Sequence, residues 1–382
     1  MRPKRLISLL VAVCMMITML PLSAVTAFAA DTASSPDPEE IVGDYKYAYT
    51  VNAGGSTATI TEFRGPVDPK NTGPYDIDIP EKLGNYTVTV LGEDSFSTDD
   101  FDSPLYDIHH TQIQSVTIPE SVTSIGDSAF AACRNLNSLT IKDAATSIGN
   151  RAFTECPLTT TLSLGKKITT IGDEAFYYCL NLKSVTIPQS VTSIGDYAFE
   201  GCTALNPLII NGPTLIGEHA FTGCKSLTSL TLCPDIQTIG DYAFDVTSLK
   251  TVTLPKNLTS IGKYAFACCS ELESITIPEK VKTINPKTFA DCSKLEYIIL
   301  PAGLTTFDDS LENCRPECVI YSNKDKDAAH DQFGATLAGH KLLGLCHVTF
   351  DAKGGSLNGS AEVPVYETEK ITDTKANGLK AT

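Results

Sequence analysis

Thirteen cysteines and six histidines carry most of the chemistry available to this 382-residue chain. A thiol can attack an acyl group once a base takes its proton, a thiol or imidazole can ligate zinc, and two thiols can close a disulfide. Spacing decides among these. Cys133, Cys156, Cys179, Cys202, Cys224, Cys269, Cys292 and Cys314 each stand three residues after Phe130, Phe153, Phe176, Phe199, Phe221, Phe266, Phe289 and Leu311 respectively. A cysteine recurring in one slot marks structure, whereas a catalytic constellation singles one out. The histidines are scattered, with no Ser or Cys placed to suggest a nucleophile and base. There is no C-x-x-C pair, only adjacent Cys268 and Cys269 and spaced Cys314 and Cys318, which argues against zinc. Asp99, Asp100 and Asp102 suggest calcium, and His109 with His110 a transition metal, but neither group has a recognised ligand count or spacing. We expect no catalytic residue, no metal and no cofactor.

The elements that must position these cysteines follow from the period. From Phe130 to Phe289 seven intervals span 159 residues, a mean of 22.7, and Phe244 keeps the rhythm where Val246 or Thr247 replaces the cysteine. A period in the twenties is that of a solenoid whose units are too small to bury their own apolar faces and rely on stacked neighbours. In LKSVTIPQSVTSIGDYAFEGC (182–202), Leu182, Val185 and Ile187 alternate with Ser184 and Thr186, the pattern of a strand with one buried face, and Pro188 ends it. Val191 and Ile194 point inward from a second extended segment. Gly195 is expected to allow a sharp turn, and Asp196 to cap a short helical turn in which Phe199 and Cys202 face the interior. Stacking makes each inward position a ladder, above all a ring ladder of phenylalanines. The expected architecture is an α/β solenoid of about ten coils of 22–23 residues. It has a parallel concave sheet, short strands and helical turns on the convex side, a β-rich N-terminal cap and a helical C-terminal cap.

Along the chain, residues 1–29 read as a secretory signal peptide: basic Arg2, Lys4 and Arg5, an apolar run, and small residues before a cut after Ala29. A membrane anchor is the rival reading. Residues 30–44 are expected to be a flexible leader, and 45–90 a cap and first degenerate coil, which a solenoid end requires to cover its apolar cross-section. Residues 91–322 are the solenoid, with an insertion at 97–112. Residues 323–345 read as a closing helix, with Ala329, Phe333 and Leu337 on one face. Residues 346–382 read as the start of a second, β-rich module. The net charge is −16, and −19 without the three basic residues of the leader peptide (26 basic against 45 acidic). Such a surface repels phosphate backbones and anionic membrane, so nucleic acid and membrane insertion are not expected. A monomer is favoured.

Twelve cysteines outside the signal peptide first suggest disulfides, but residues stacked in register point the same way, so free buried thiols are expected. Any disulfide would involve Cys233, Cys268, Cys318 or Cys346. The outward positions of the main sheet form a ridge through Thr117, Thr140, Ser163, Thr186, Ile209, Thr231, Thr253, Thr276 and Ile299, with Tyr297 in the neighbouring row. Thr117, Thr140, Thr186, Thr231, Thr253, Thr276 and Tyr297 are the candidate ligand-binding residues, although Ser and Thr also simply suit exposed strands. The opposite rim carries Tyr197, Tyr242, Tyr264 and His219, as anchors or as plain surface.

The unit LxxIxIPxxVTxIGxxAFxxC, nearly intact at LNLKSVTIPQSVTSIGDYAFEGC and ELESITIPEKVKTINPKTFADC, resembles the BspA-like (Treponema pallidum type) leucine-rich-repeat surface proteins from about Tyr45 to Ser322. Leu158 and Leu249 depart by sitting one residue early. The tail HVTFDAKGG...VPVYETEKIT is similar to the opening of a Listeria-Bacteroides (internalin B-repeat) module, a β-grasp-like spacer. The resemblance implies a bacterial protein, secreted or at the cell surface, that binds protein or glycan ligands on host or neighbouring cells. A passive stalk displaying a further domain is the alternative, and an enzyme role is the least supported.

Overall fold

A computed structural model describes residues 37–97, 109–159, 161–307 and 309–322, together with the backbone of strands Lys341–Thr349 and Glu362–Tyr366. The signal-peptide reading and most of the 97–112 insertion therefore lie outside the described residues.

Each coil has three sides. The first is a strand of two to six residues, as in Ser184–Ile187, pairing in parallel with the equivalent strand of the next coil: Val185 with Leu208, Thr186 with Ile209 and Ile187 with Ile210. The second is a two-residue strand, as in Ser193–Ile194, in register with Thr170–Ile171 before it and Leu215–Ile216 after it. The alternation read from the sequence is confirmed, since Val185, Ile187, Val191 and Ile194 are all buried.

The third side carries the phenylalanines and departs from expectation. No helix forms there. Among the described residues, all seventeen non-glycine residues with positive φ fall two before or two after the ring position, for example Glu174 (φ 55) and Tyr178 (φ 54) around Phe176. A left-handed residue at both places cannot propagate an α-helix. Every second amide instead reaches into the next coil: Glu174, Phe176 and Tyr178 donate to the carbonyls of Asp196, Ala198 and Glu200, each at 2.8 Å. The turn side is a third hydrogen-bonded ladder, and it holds the rings in one column.

That column is continuous. Phe96, Phe130, Phe153, Phe176, Phe199, Phe221, Phe244, Phe266 and Phe289 are fully buried, with neighbouring centroids 4.6–5.8 Å apart. Leu311 ends it, 4% exposed. Burial of this size dominates the energetics of a thin coil.

Two further sequence expectations are corrected. Gly195 has no positive φ; its need is space, because a Cβ there would lie 2.6 Å from the Asp173 amide nitrogen and the Gly172 carbonyl carbon of the preceding coil. Asp196 does not cap its own turn. Its Oδ1 accepts the Glu218 amide of the next coil at 2.7 Å, as Asp173 accepts that of Asp196 at 2.9 Å and Asn150 that of Asp173 at 2.8 Å. The side chain joins coils rather than closing a helix.

At the N-terminal end, strands β1 (Glu39–Val42), β2 (Tyr45–Val51) and β3 (Thr57–Pro66) form an antiparallel cap. β1 begins inside the segment expected to be a leader, because Gly43 (φ 59) turns the chain and lets Glu39 to Val42 pair with Tyr45 to Ala48. β3 then runs parallel to Tyr86–Leu91, so the cap merges into the short-strand sheet, and Phe63 stacks on Phe96 at 5.5 Å as the first ring of the column. At the other end the expected helix over 323–345 is not supported: 323–340 lie outside the described residues, and 341–345 belong to the strand Lys341–Thr349, parallel to Val319–Ser322. That strand crosses the expected boundary at 346 and pairs antiparallel with Glu362–Tyr366.

Candidate functional site

The thiols are placed by the turn side. Cys133, Cys156, Cys179, Cys202, Cys224, Cys269 and Cys292 are fully buried, Cys314 nearly so, and all are free. They do more than fill space. Each thiol donates to the carbonyl of the ring residue one coil back: Cys156 to Phe130 at 3.2 Å, Cys179 to Phe153 at 3.2 Å, Cys292 to Phe266 at 3.2 Å. Where cysteine is missing, Thr247 occupies the slot, its hydroxyl donating to Phe244 at 3.0 Å and lying 3.1 Å from Cys269 Sγ. Burial pushes the thiols of Cys156, Cys179, Cys202, Cys224 and Cys269 up, Cys269 to about 12, so these are held as poor nucleophiles. Of the off-ladder cysteines, Cys233 and Cys318 are buried and free, and Cys268 is free and exposed.

The histidine pair is spent on packing. His109 Nδ1 lies 2.7 Å from the Tyr75 hydroxyl, its ring close against Gly65, and His110 Nε2 lies 2.7 Å from the Phe63 carbonyl. These contacts pin the end of the insertion to the cap. Asp99, Asp100 and Asp102 lie outside the described residues. Among the described residues, no three His, Cys, Asp or Glu side chains gather in a metal-binding arrangement.

Two rows of threonine separate by what their hydroxyls do. The VT-motif row is consumed: Thr146 donates to Thr123, Thr169 to Thr146 and Thr192 to Thr169, each a carbonyl one coil back at 2.9–3.1 Å. Nothing in the residue type distinguishes this row from the ridge; only its place beside the short strand does. The ridge is not consumed. Thr140, Thr186, Thr231, Thr253 and Thr276 are exposed, Thr117 is half-buried, and among the described residues none of their hydroxyls makes a hydrogen bond. Strand register puts Thr117 beside Thr140, Ile209 between Thr186 and Thr231, and Thr276 beside Ile299. Tyr297, in the next row, is half-buried with its ring edge-on to Tyr321 at 5.9 Å.

On the turn side, Tyr197, His219, Tyr242 and Tyr264 stack as a second, surface column. Among the described residues no helix is long and apolar enough to cross a membrane.

Stacked parallel coils, laddered rings and unengaged outer hydroxyls define a leucine-rich-repeat solenoid. The family model for the BspA type leucine rich repeat region matches residues 106–214 and 195–317, together 212 of the 382 positions, and the chain belongs to that family. The architecture is similar to a leucine rich cell surface protein from Faecalibacterium prausnitzii, at 25% identity over 81% of this chain and 96% of that one, TM-score 0.40. It is also similar to the pneumococcal vaccine antigen PcpA, at 18% identity over 81% and 99%, TM-score 0.40. A leucine rich repeat protein of T. pallidum matches at 18% identity over 70% and 88%, TM-score 0.28. No curated protein matches the chain.

Proposed function

We propose that this member of a bacterial surface-protein family is a binding module exported by residues 1–29, which engages protein or glycan ligands on host or neighbouring cells through its long-strand face. The observation that carries this reading is the contrast between the two threonine rows. One row is used up in holding coils together, while the ridge presents unengaged donors and acceptors, in adjacent coils at Thr117 and Thr140 and to either side of Ile209 at Thr186 and Thr231. An extended partner laid across the ridge can make many weak hydrogen bonds, and such a surface is built for area rather than for one deep pocket. The buried, hydrogen-bonded thiols and the packed histidines support a non-enzymatic role.

Solid-phase binding of the purified chain to immobilised matrix proteins and glycans tests the proposal. A ligand should be found, and Thr186→Arg with Thr231→Arg should weaken it tenfold or more by steric and charge intrusion, with the melting temperature unchanged. Absence of binding to any surface, or indifference to the ridge substitutions, refutes it in favour of a passive stalk.

A further inference from the structure

Two residues before each buried ring the chain shows an assortment of side chains, such as Ser128, Arg151 and Glu174. Over four consecutive coils that position is aromatic. Tyr197 stacks on His219 at 4.6 Å, His219 on Tyr242 at 4.5 Å and Tyr242 on Tyr264 at 4.5 Å, all within 7° of parallel. The rings occupy one another's faces, which leaves their edges and the two end faces of the column. Positive φ at these positions is shared by the whole row, so it belongs to the fold and says nothing of function.

One end face is already filled. Lys287 Nζ sits 5.7 Å from the Tyr264 centroid and pairs with Glu312 at 2.9 Å, an ammonium held between a ring and a carboxylate. At the other end Tyr197 is 37% exposed and, among the described residues, stacked on one side only. The next side chain in the row, Glu174, pairs with Arg151 at 3.5 Å. In the Tyr197 turn, Glu200 has a buried Oε2 with no hydrogen-bond partner, and burial, then Glu174 and Asp245, push its carboxyl up. A carboxylate left in that state gains from any cation brought close. One coil back, Tyr178 and Leu180, 44% and 46% exposed, wall an open groove of about 380 Å³ whose Arg134 is neutralised by Glu155 at 3.2 Å.

We infer that the Tyr197 end of the column, with Glu200 in the same turn, docks a lysine- or arginine-bearing segment of a partner protein. The cation rests on the open ring face as Lys287 rests on Tyr264. The formal charge of −16 favours such a partner and sets its approach rate. This surface lies on the turn side of the coil, separate from the hydroxyl ridge, and stands whether or not the ridge binds anything.

Fluorescence anisotropy of labelled hexalysine and hexaarginine peptides, titrated with the full chain at low and at 150 mM salt, tests it. Saturable binding is expected, and Tyr197→Ala should weaken it by about threefold to thirtyfold, the range of a cation–π contact. Tyr197→Phe should retain it, which separates loss of the ring face from loss of fold, and Glu200→Gln should weaken it. The control Glu273→Gln with Glu279→Gln removes more charge from other sides of the coil and should have the smaller effect. If Tyr197→Ala binds as the parent does, or the control pair loses as much as Glu200→Gln, attraction is only to net charge and the docking site is overturned.

Discussion

The Cys202 thiol donates to the carbonyl of Phe176, one coil back, at 3.3 Å, while the Phe176 carbonyl also accepts the Cys179 amide of its own turn at 3.2 Å. Removing the thiol leaves that carbonyl with one donor and opens a small void. Cys202→Ala is expected to cost about 1–2 kcal/mol, and Phe199→Ala, which breaks the ring column, about 3–5 kcal/mol. Urea midpoints should fall in that order, and the Phe199 variant should also broaden the transition as neighbouring coils lose their support.

Thiol chemistry should report the same burial. In the chain without residues 1–29 and carrying Cys346→Ser, DTNB at pH 8 is expected to label Cys268 and spare the other described cysteines until the protein is unfolded. Burial, then Asp245 and Asp291, raise Cys268, and the thiol donates to Asp245, so labelling should be slower than for a free thiol and faster in Asp245→Asn. Rapid modification of several thiols in the native protein would contradict the buried ladder.

The backbone of the turn side makes opposite predictions for two glycine exchanges. Val246 has φ 56, a branched residue in a left-handed well, where Gly201 and Gly223 stand two coils and one coil earlier. Val246→Gly should relieve strain of about 1–2 kcal/mol and give back less than 1 in chain entropy, raising the melting temperature. Gly195→Ala should lower it by about 1–3 kcal/mol of stability, since the coils would have to part to admit a methyl. Scanning calorimetry of both variants reads the two signs directly.

Asp245 makes stability depend on pH. Burial pushes its carboxyl up to about 6, and one oxygen has no hydrogen-bond partner. Because the folded value lies above the unfolded one, the contribution is fully present below about pH 4 and is lost as pH rises through 6. Asp245→Asn should therefore stabilise the protein at pH 7, by about 1 kcal/mol for a half-exposed group, and flatten the stability profile between pH 4 and 6. An unchanged slope in the variant would place the titration elsewhere.

Much of this was legible in residue types, because the period is set by what must be buried: the Phe, Cys and aliphatic slots, the two strands and the need for a cap all follow from stacking. The turn side was not. Glu174, Tyr178 and Val246 have no preference for positive φ, so a helix was the natural expectation, and only the pairing of alternate amides with the next coil shows why the left-handed wells are occupied. Asp196 and Gly195 likewise look local in sequence, yet both act across coils. Among the site residues, the Thr192 and Thr186 hydroxyls differ by one hydrogen bond to Thr169, which no spacing reveals. The rim tyrosines and His219 were visible as a set, but their stacking and the lysine at one end were not.

Because the row bearing Arg151, Glu174, Tyr197, His219, Tyr242, Tyr264 and Lys287 hangs from amides that every coil shares, its side chains answer to nothing inside. Specificity can therefore be rewritten one rung at a time, or moved bodily along the array of coils by duplicating one, while the interior stays as it was.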